Sequence, residues 1–408
     1  MDVPEVVIVG ASLAGLRTAE SLRDNGFAGS ITLIGDEESL PYDRPPLSKQ
    51  FLRGEWNAER IELRPGADLR ERLKLELRLG THADHVDPFR RTLVLHGGET
   101  LNFDRLVVAT GARARTLPAA SAHSSAHVVR TKADSSRLRE ALEPGHRIVV
   151  VGAGFIGAEV AATAKGLGCD VTIVEAAPVP LERQLGTQMG EACGALHERN
   201  GVTLICGVTV DRFNSQSVEL ADGTILPADH VVVGVGAQPN TDWLETSGLL
   251  VADGLMVDSC CRALTNDGRA LDHVVGVGDV ARFPNRRYRS VDGTEPLSMR
   301  IEHWTNAAEM ATAAALTLIG APAVYEPVPY FWSDQYNHKI QFFGRADGFD
   351  EVRVVEGSPE EGSWLALYRR DDRLVAALGV SKIRALIPYR QLLLKNSTWN
   401  EALQLGAA

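Results

Sequence analysis

The sequence predicts an α/β protein made of two tandem Rossmann-like dinucleotide-binding domains followed by a C-terminal α+β domain, and three observations lead to this fold class. At residues 6–36 an apolar run, a glycine-rich turn, a helical stretch, a second apolar run and an acid follow one another. The same order recurs at residues 148–175, so the chain carries an internal repeat on the scale of a domain. From residue 330 onward, short segments typical of strands occur without any such motif.

The second copy of the motif is the more complete one. An apolar run at 148–151 predicts a buried strand, and Gly152-Ala153-Gly154-Phe155-Ile156-Gly157 forms a complete GxGxxG turn. Its glycines suit a tight turn, close approach of the backbone to a pyrophosphate, and close helix packing. Glu175 ends the next apolar run, where a carboxylate can bind both hydroxyls of an adenosine ribose. The motif predicts a dinucleotide site that favours NADH, because the acid would repel a 2′-phosphate; the alternative is a tight turn without a ligand.

The first copy departs from the pattern at its middle glycine. It reads Gly10-Ala11-Ser12-Leu13-Ala14-Gly15, and Asp36 follows the second apolar run. A serine still permits fairly close approach to a phosphate and adds a hydroxyl. This copy predicts a second dinucleotide site, with a plain parallel-sheet turn as the alternative.

A proline-rich loop follows the first copy. Residues 40–49 contain paired prolines, which stiffen the backbone, and Ser48 is predicted to cap a following helix. One interpretation is a rigid loop without chemistry. The other is that Arg44 and Lys49 are aimed at an electron-rich group, since a lysine beside a flavin would stabilise negative charge on the reduced ring.

Three predicted strands end in small or acidic residues where ligands bind in parallel sheets, just outside the strand ends. The first ends in Ala109-Thr110-Gly111, and its counterpart in the second copy ends near Gly236. The third ends in Gly278-Asp279, and this aspartate could contact a ribityl chain or ribose, cap a helix, or do both.

Composition limits the function classes. The chain has 408 residues and a net charge of −11, so general nucleic-acid binding is not expected. Its five cysteines include no CxxC, which predicts a reducing compartment without a disulfide framework, zinc site or iron–sulfur cluster. The sequence shows no charged-then-apolar leader and no uninterrupted run of 18 apolar residues, so we expect no membrane association and a cytoplasmic location.

The expected domains are residues 1–112 with 238–322, then 113–237, and finally 323–408. The third domain is expected to mediate dimerisation or to cover a neighbouring active site. Residues 282–289 are locally basic. They predict a solvated loop or, as the sharper alternative, a docking patch for an acidic partner.

Several longer motifs carry a family resemblance. They are GASLAG at 10–15, YDRPPLSK at 42–49, GAGFIGAE at 152–159, GDVAR at 278–282, RIEHWTNA at 300–307 and FWSDQ at 331–335. Together they resemble the FAD-dependent, NADH-linked ferredoxin reductases of bacterial P450 and Rieske dioxygenase systems, which have a glutathione-reductase-like fold. Rubredoxin reductases are close kin of this family.

The absence of sulfur in one segment refines the resemblance. Disulfide reductases of this fold place a redox cysteine pair after the first nucleotide motif, and coenzyme A-disulfide reductases place a single cysteine there. Residues 41–50 contain no cysteine. The resemblance therefore implies that electrons leave directly from the flavin.

The resemblance also assigns residues to ligands. It implies tightly bound, non-covalent FAD and NADH as co-substrate, with Lys49 and Glu159 as the catalytic residues and Glu159 facing the nicotinamide carboxamide. The expected FAD contacts are Gly10, Ser12, Ala14, Gly15, Asp36, Arg44, Lys49, Ala83, Ala109, Thr110, Gly111, Arg130, Gly278, Asp279 and Trp304. The expected NADH contacts are Gly152, Gly154, Phe155, Ile156, Gly157, Glu159, Glu175 and Gly236.

The implied partner is a [2Fe–2S] ferredoxin that docks transiently through electrostatic attraction. Trp332 is expected near the docking surface. Residues 282–299 would form a longer loop than in one member of the family, which could alter partner choice. No nucleic-acid or membrane partner and no metal are expected, and the chain would be a monomer or a homodimer. Two alternatives stay open. One is an NADH-dependent flavoprotein that reduces rubredoxin, a quinone or another small acceptor, and the other is a redox-sensing interaction flavoprotein.

Overall fold

The computed structural model describes residues 4–117, 119–120, 125–289 and 295–406. Two compact units contain them, and the helices and strands of both are numbered along the chain. The first unit takes the described residues of Met1–Asp43, Ile61–Arg113 and Gln238–Pro327. The second takes those of Arg44–Arg60, Ala114–Ala237 and Val328–Ala408. The three-domain division predicted above stays a prediction, because the units are separated by packing alone.

A six-stranded sheet forms the centre of the first unit, in the order β19-β20-β7-β1-β2-β3. Its strands are parallel except β19, which is antiparallel at the edge. The strands of this unit are β1 (Glu5–Val9), β2 (Ser30–Gly35), β3 (Leu75–Leu79), β4 (Ala83–Asp87), β5 (Thr92–Leu95), β6 (Thr100–Asn102), β7 (Arg105–Val108), β18 (Leu255–Met256), β19 (Arg262–Leu264), β20 (Ala270–Gly276), β21 (Ala281–Arg289) and β22 (Pro296–Arg300). Helices α1 (Leu13–Asp24) and α5 (Trp304–Leu318) belong to the same unit.

The core of the first unit follows from its sequence. The strands β1 and β7 are continuous apolar runs buried on both faces, as expected for central parallel strands. Helix α5 is rich in alanine, so its backbone can lie close to neighbouring elements, and most of its residues are buried.

A five-stranded parallel sheet, β12-β11-β10-β16-β9, forms the first part of the second unit. Its strands and the adjoining hairpins are β9 (Ala126–His127), β10 (Arg147–Val151), β11 (Asp170–Glu175), β12 (Thr203–Cys206), β13 (Val210–Asn214), β14 (Ser217–Leu220), β15 (Ile225–Pro227) and β16 (His230–Val233). Its helices are α2 (Lys132–Ala141), α3 (Phe155–Gly166) and α4 (Glu182–Arg199). Two short strands, β8 (Ala112–Ala114) and β17 (Ala237–Pro239), lie where the chain passes from one unit to the other.

An antiparallel sheet, β23-β24-β27-β26-β25, forms the second part of that unit. Its elements are β23 (Tyr330–Gln335), β24 (His338–Gly344), β25 (Glu351–Ser358), β26 (Ser363–Arg370), β27 (Arg373–Val380), α6 (Ile383–Leu394) and α7 (Trp399–Gly406). A buried cluster joins this sheet to α4, with Leu185 and Met189 packed among Phe342 and Tyr368. Helix α6 runs through Pro388 without ending there.

The predicted solvated loop at 282–289 is wrong, because these residues belong to the nine-residue strand β21. Phe283 and Asn285 are buried in it, while the arginines before and after them hid the alternation in the sequence. Arg282 is an ion-pair partner of Asp253, with 2.9 Å between Nη1 and Oδ2. The longer stretch 282–299 includes residues 290–294, which lie outside the described residues, and the docking patch stays a prediction.

Candidate functional site

The first glycine-rich turn lies at the carboxyl end of β1 in the first unit. Gly10 has a positive φ of 122°, and a Cβ built there would lie 2.1 Å from the carbonyl oxygen of Ala109. Only glycine fits both conditions. Ser12 is the extended residue before α1, and Ala14 and Gly15 lie in the first helical turn. The turn therefore brings a helix N-terminus, which favours phosphate groups, to the edge of the sheet.

The acid of the first motif is exposed. Asp36 follows β2 with 76% of its side chain accessible, and its Oδ1 lies 3.0 Å from Nδ1 of His82. Ala83, which follows His82 in the chain, is buried at the start of β4. This arrangement leaves the carboxylate open to hydroxyl groups of a ligand, as the motif predicts.

The end of β7 is fixed by a residue that the sequence did not single out. The Thr110 hydroxyl donates to the Asn240 carbonyl at 2.8 Å, and the Asn240 amide Nδ2 donates to the Thr110 carbonyl at 2.9 Å. The Asn240 N–H also donates to the Gly111 carbonyl at 3.0 Å. Asn240 therefore holds Thr110 and Gly111 from outside the strand.

The GD segment lies against the first helix. Gly278 has a φ of +75°, and a Cβ there would be 3.0 Å from the Cβ of Ala14. Asp279 is the second residue of a short helical turn over Gly278–Val280, whose N-cap is Val277, so it does not occupy the N-cap of this turn. Its carbonyl accepts a hydrogen bond from Arg300 Nη1 at 3.2 Å.

Trp304 begins α5 and is positioned by a second unpredicted residue. Its indole Nε1 donates to Asp43 Oδ1 at 2.7 Å. Asp43 lies inside the YDRPPLSK motif, so the motif itself was the available signal.

The second glycine-rich turn repeats this geometry in the second unit. Gly152 has a φ of +100°, and a Cβ there would lie 2.5 Å from the Gly234 carbonyl oxygen. A Cβ at Gly157 would lie 2.0 Å from the Gly152 carbonyl oxygen. A Cβ at Gly154, in contrast, would meet no described heavy atom within 4 Å. The middle position is therefore where a phosphate could approach, and the residues fit a dinucleotide.

The residues that follow Gly154 differ in exposure. Phe155 begins α3 and packs on Phe331, with ring centroids 4.2 Å apart, whereas Ile156 is 45% exposed. Gly236 has a φ of +103°, and its carbonyl accepts a hydrogen bond from the Arg115 N–H at 2.9 Å.

Glu175 closes the second turn. Its Oε2 accepts a hydrogen bond from the Ala153 N–H at 2.6 Å, and its Oε1 accepts one from the Ala177 N–H at 2.9 Å. Cys206 lies opposite it in the register of β11 and β12. Burial, and then the neighbouring Glu175 carboxylate, raise the pKa of the Cys206 thiol to about 11.

Glu159 is the centre of a buried polar cluster in the second unit. Its Oε2 accepts from Lys49 Nζ at 2.6 Å and from the Ser48 hydroxyl at 2.5 Å. Its Oε1 accepts from the Ser333 hydroxyl at 2.8 Å and from the Asp334 N–H at 3.2 Å. Glu159 and Lys49 are only 3% and 5% exposed, so four donors compensate one carboxylate that is almost removed from water.

The segment that carries Lys49 is tied to the helices of the same unit. The Thr163 hydroxyl donates to the Ser48 carbonyl and the Ser135 hydroxyl donates to the Leu47 carbonyl, both at 2.7 Å. Arg44 Nη1 donates to the Arg130 carbonyl at 2.5 Å. The predicted capping role of Ser48 is wrong. Ser48 is the last residue of a short helical turn, and its hydroxyl binds Glu159.

One amide next to this cluster is incompletely satisfied. The Gln335 Nε2 donates to the Ser333 hydroxyl oxygen at 3.2 Å. The Gln335 Oε1 is buried and has no hydrogen-bond partner in the described part of the chain. Such an acceptor costs about 1–3 kcal/mol.

Two family models cover almost the whole chain. The model described as pyridine nucleotide-disulphide oxidoreductase matches residues 4–311, and the model described as reductase C-terminal matches residues 330–405.

The chain belongs to the pyridine nucleotide-disulphide oxidoreductase family.

Relatives within this family narrow the likeness. A ferredoxin–NAD(P)+ reductase of Sphingomonas sp is 36% identical over 379 residues, covering 91% of this chain and 88% of that protein. The ferredoxin–NAD+ reductase component of the anthranilate 1,2-dioxygenase system of Burkholderia cepacia is 38% identical over 403 residues, covering 96% and 95%. A crystal structure of a covalent putidaredoxin reductase–putidaredoxin complex matches with a TM-score of 0.90 at 33% identity, covering 97% and 94%. These findings confirm the predicted fold class and the resemblance to the ferredoxin reductases.

Although the family is named for disulphide chemistry, the three buried cysteines of this member do not suit it. All five are free. Burial raises the pKa of the Cys193 thiol to about 12, and it also raises the pKa of Cys169 and Cys261. Thiolates are the reactive form, so these residues are poor nucleophiles.

Within this oxidoreductase, the sequence identified the turns better than their supports. Asn240, Asp43, Gly234 and Ser333 were not singled out, although Asp43 and Ser333 lie inside quoted motifs.

Among the described residues, no helix combines the length and the apolar character needed to cross a bilayer.

Proposed function

We propose that this chain is an FAD-dependent NADH:ferredoxin oxidoreductase whose ferredoxin feeds a P450 or Rieske-type oxygenase. One observation carries the proposal: a buried Lys49–Glu159 ion pair, 2.6 Å between Nζ and Oε2, occupies the segment after the first nucleotide motif. A redox cysteine would be expected there in a disulphide reductase of this fold. The relatives named as ferredoxin reductases support the same acceptor.

The first unit supplies the proposed FAD turn. Gly10, Ser12, Ala14 and Gly15 form the helix N-terminus for the pyrophosphate, and Asp36 accepts hydrogen bonds from the adenosine ribose. Its further proposed contacts are Ala83, Ala109, Thr110, Gly111, Gly278, Asp279 and Trp304. Non-covalent, tight binding of FAD is part of this proposal, as are the contacts of Arg44, Lys49 and Arg130.

The second unit supplies the proposed NADH turn. Gly152, Gly154 and Gly157 shape it, Glu175 binds the ribose hydroxyls, and Gly236 lies at the neighbouring strand end. Phe155, Ile156 and Glu159 extend the site along α3. The preference for NADH over NADPH rests on the charge of Glu175.

The chain's own contribution to the reaction is position and charge. When bound, FAD accepts a hydride from NADH and passes electrons singly to the iron–sulfur acceptor. Lys49 holds a cation in a buried site where it favours negative charge on the reduced ring. Glu159 keeps that cation in place, and Ser48 and Thr163 fix the backbone that carries it.

The proposed partner is a [2Fe–2S] ferredoxin that binds transiently through electrostatic attraction. A solved complex of a related reductase with putidaredoxin supports a protein acceptor. We further propose the three-domain division 1–112 with 238–322, 113–237 and 323–408, a cytoplasmic location, and a monomeric or homodimeric state.

An anaerobic NADH titration of the purified protein tests the proposal. Flavin absorbance should bleach promptly, in stoichiometric amounts with NADH and poorly with NADPH. Addition of an oxidised [2Fe–2S] ferredoxin should then restore it, whereas a quinone should restore it much more slowly. A protein that neither retains nor reconstitutes FAD would overturn the proposal.

A further inference from the structure

The strand β23 sends alternate side chains into the second unit. Phe331, Ser333 and Gln335 are buried, and the last two have no measurable exposure. Trp332 and Asp334 lie on the other face and are partly exposed. This two-residue period is that of a strand with one buried face. Two of its three buried positions nevertheless carry polar side chains.

The polar groups on that face form a chain with a defined direction. The Glu159 carboxylate can only accept hydrogen bonds. The Ser333 hydroxyl therefore donates its single hydrogen to Glu159 Oε1, 2.8 Å away. The Ser333 oxygen can then only accept from Gln335, whose Nε2 lies 3.2 Å away. Gln335 therefore holds the Ser333 hydroxyl in the orientation that serves Glu159.

The two oxygens of Glu159 are divided between two parts of the sequence. Lys49 and Ser48 donate to Oε2, whereas Ser333 and the Asp334 N–H of β23 donate to Oε1. The donors on Oε1 draw negative charge away from Oε2. They consequently set both the position of the carboxylate and how fully it neutralises the Lys49 cation.

We propose that Ser333 and Gln335 are positioning residues that control Lys49 through Glu159, so that strand β23 tunes the charge offered to the flavin. This inference rests on the proposed function, because the role of Lys49 toward the flavin belongs to that proposal. It adds two residues, Ser333 and Gln335, on a strand of the C-terminal segment.

The unsatisfied Oε1 of Gln335 supports a functional reason for this residue. A methionine has a similar length, would leave no buried acceptor without a partner, and would suit the apolar side of a buried strand. A glutamine here is worse for stability alone, which is understandable if its Nε2 is needed to orient Ser333.

The experiment compares Ser333→Ala, Ser333→Thr and Gln335→Met in the FAD-loaded protein, with Ser397→Ala as a matched control. Ser397 is a buried serine of the same segment that lies near a different carboxylate, that of Glu401. Flavin midpoint potentials are measured by titration with a chemical reductant, rates of flavin reduction by stopped flow with NADH, and stability by thermal unfolding. Labelling of Lys49 by an amine-reactive reagent, followed by mass spectrometry, needs no flavin.

We expect Ser333→Ala to slow flavin reduction about tenfold, the size of effect expected for one lost hydrogen bond to a charged group. Its flavin potential should become more negative, because Glu159 would neutralise Lys49 more fully. Lys49 should be labelled more slowly, because a more tightly paired ammonium presents less free amine to the reagent. Ser333→Thr, which keeps the hydroxyl, should restore the potential. Gln335→Met should lower the rate and the potential while its melting temperature stays equal or rises.

Wild-type potential and labelling in both Ser333→Ala and Gln335→Met would overturn the inference, as would the same changes in Ser397→Ala. A wild-type protein that binds FAD but is not reduced by NADH would instead overturn the proposed function. The chemical titration and the labelling of Lys49 would still decide the inference in that case.

Discussion

In the first unit, Asp36 stands mostly exposed beyond β2, 3.0 Å from His82, whereas in the second unit Glu175 is bonded to its own glycine turn through the Ala153 N–H. The first turn has Ser12 at the middle position where the second has Gly154. The two motifs thus share the same strand, turn and helix, and they differ in the contacts of the acid and in the middle residue of the turn. A ribose that binds Glu175 must compete with the turn itself, which suits a co-substrate that leaves in every cycle, while the open Asp36 suits a resident cofactor.

The second unit also buries charge, and removing one partner there should have the largest effect. Lys49→Ala would leave Glu159 without its cation. Breaking a buried ion pair from one side costs about 3–5 kcal/mol of unfolding free energy. We expect the lower end, because three donors remain on Glu159, together with slower flavin reduction by NADH in stopped-flow traces.

The control for this variant is Lys382→Ala, which removes a more exposed cation 2.8 Å from Glu356 in the same unit. Urea unfolding should show a loss of about 1 kcal/mol or less. An unchanged rate of flavin reduction in Lys49→Ala would remove Lys49 from the mechanism.

Acid should weaken the second unit through a buried histidine of α4. His197 is 1% exposed, and burial lowers its pKa from 6.5 to about 4. As the pH falls from 6.5 towards 4, His197 binds a proton in the unfolded chain but not in the folded chain. The free energy of unfolding therefore decreases across this window. At 1.36 kcal/mol per pH unit, the loss approaches about 3 kcal/mol.

Urea unfolding of the wild type and His197→Gln between pH 7 and pH 4.5 measures this loss. The variant should be less stable at pH 7, since the contact with the Tyr336 hydroxyl at 2.8 Å changes. Its stability should fall less steeply with acid. Parallel curves for the two proteins would contradict the prediction.

The difference between the two acids can be tested directly by Glu175→Gln. Removing the charge relieves repulsion of a 2′-phosphate, so the ratio of kcat/KM for NADH over NADPH should fall about tenfold, or 1.4 kcal/mol. Asp36→Asn, the equivalent change in the first unit, should weaken FAD binding without moving that ratio. An equal change of the ratio in both variants would show that the two turns were assigned to the wrong ligands.

The smallest expected effect comes from giving the second turn the middle residue of the first. In Gly154→Ser, a Cβ meets no described atom within 4 Å, so the melting temperature should not change. The KM for NADH should rise about tenfold or less, because the side chain enters the space of the phosphate. In Gly157→Ala, where the Cβ would lie 2.0 Å from the Gly152 carbonyl oxygen, stability itself should fall.

The sequence predicted those features that depend on neighbours along the chain. The turns at Gly10 and Gly152, the strands beside them and the acids after them follow from local spacing. The support of Glu159 could not be predicted in this way, because Lys49 and Ser333 are 110 and 174 residues away from it. Ser48 was assigned to a helix cap on local grounds, and a distant buried carboxylate took its hydroxyl instead.

The strand β21 shows the opposite failure. Its arginines suggested water on every side, yet Asn285 is fully buried and donates through Nδ2 to the Pro327 carbonyl at 2.9 Å. Charge density along the chain therefore concealed a period of two, and long cationic side chains can cover an apolar strand while keeping their heads in water.

The position of β23 also has a consequence for biosynthesis. A ribosome releases residues 48, 49 and 159 long before residue 333, so the Glu159 carboxylate lacks its Ser333 donor until most of the chain has been made. Contacts of such long sequence separation form slowly and leave partly folded chains open to aggregation. We therefore expect the five-stranded parallel sheet of the second unit to be less stable in a nascent chain arrested before residue 330. A chaperone that binds exposed apolar segments would have the most time to bind at this stage.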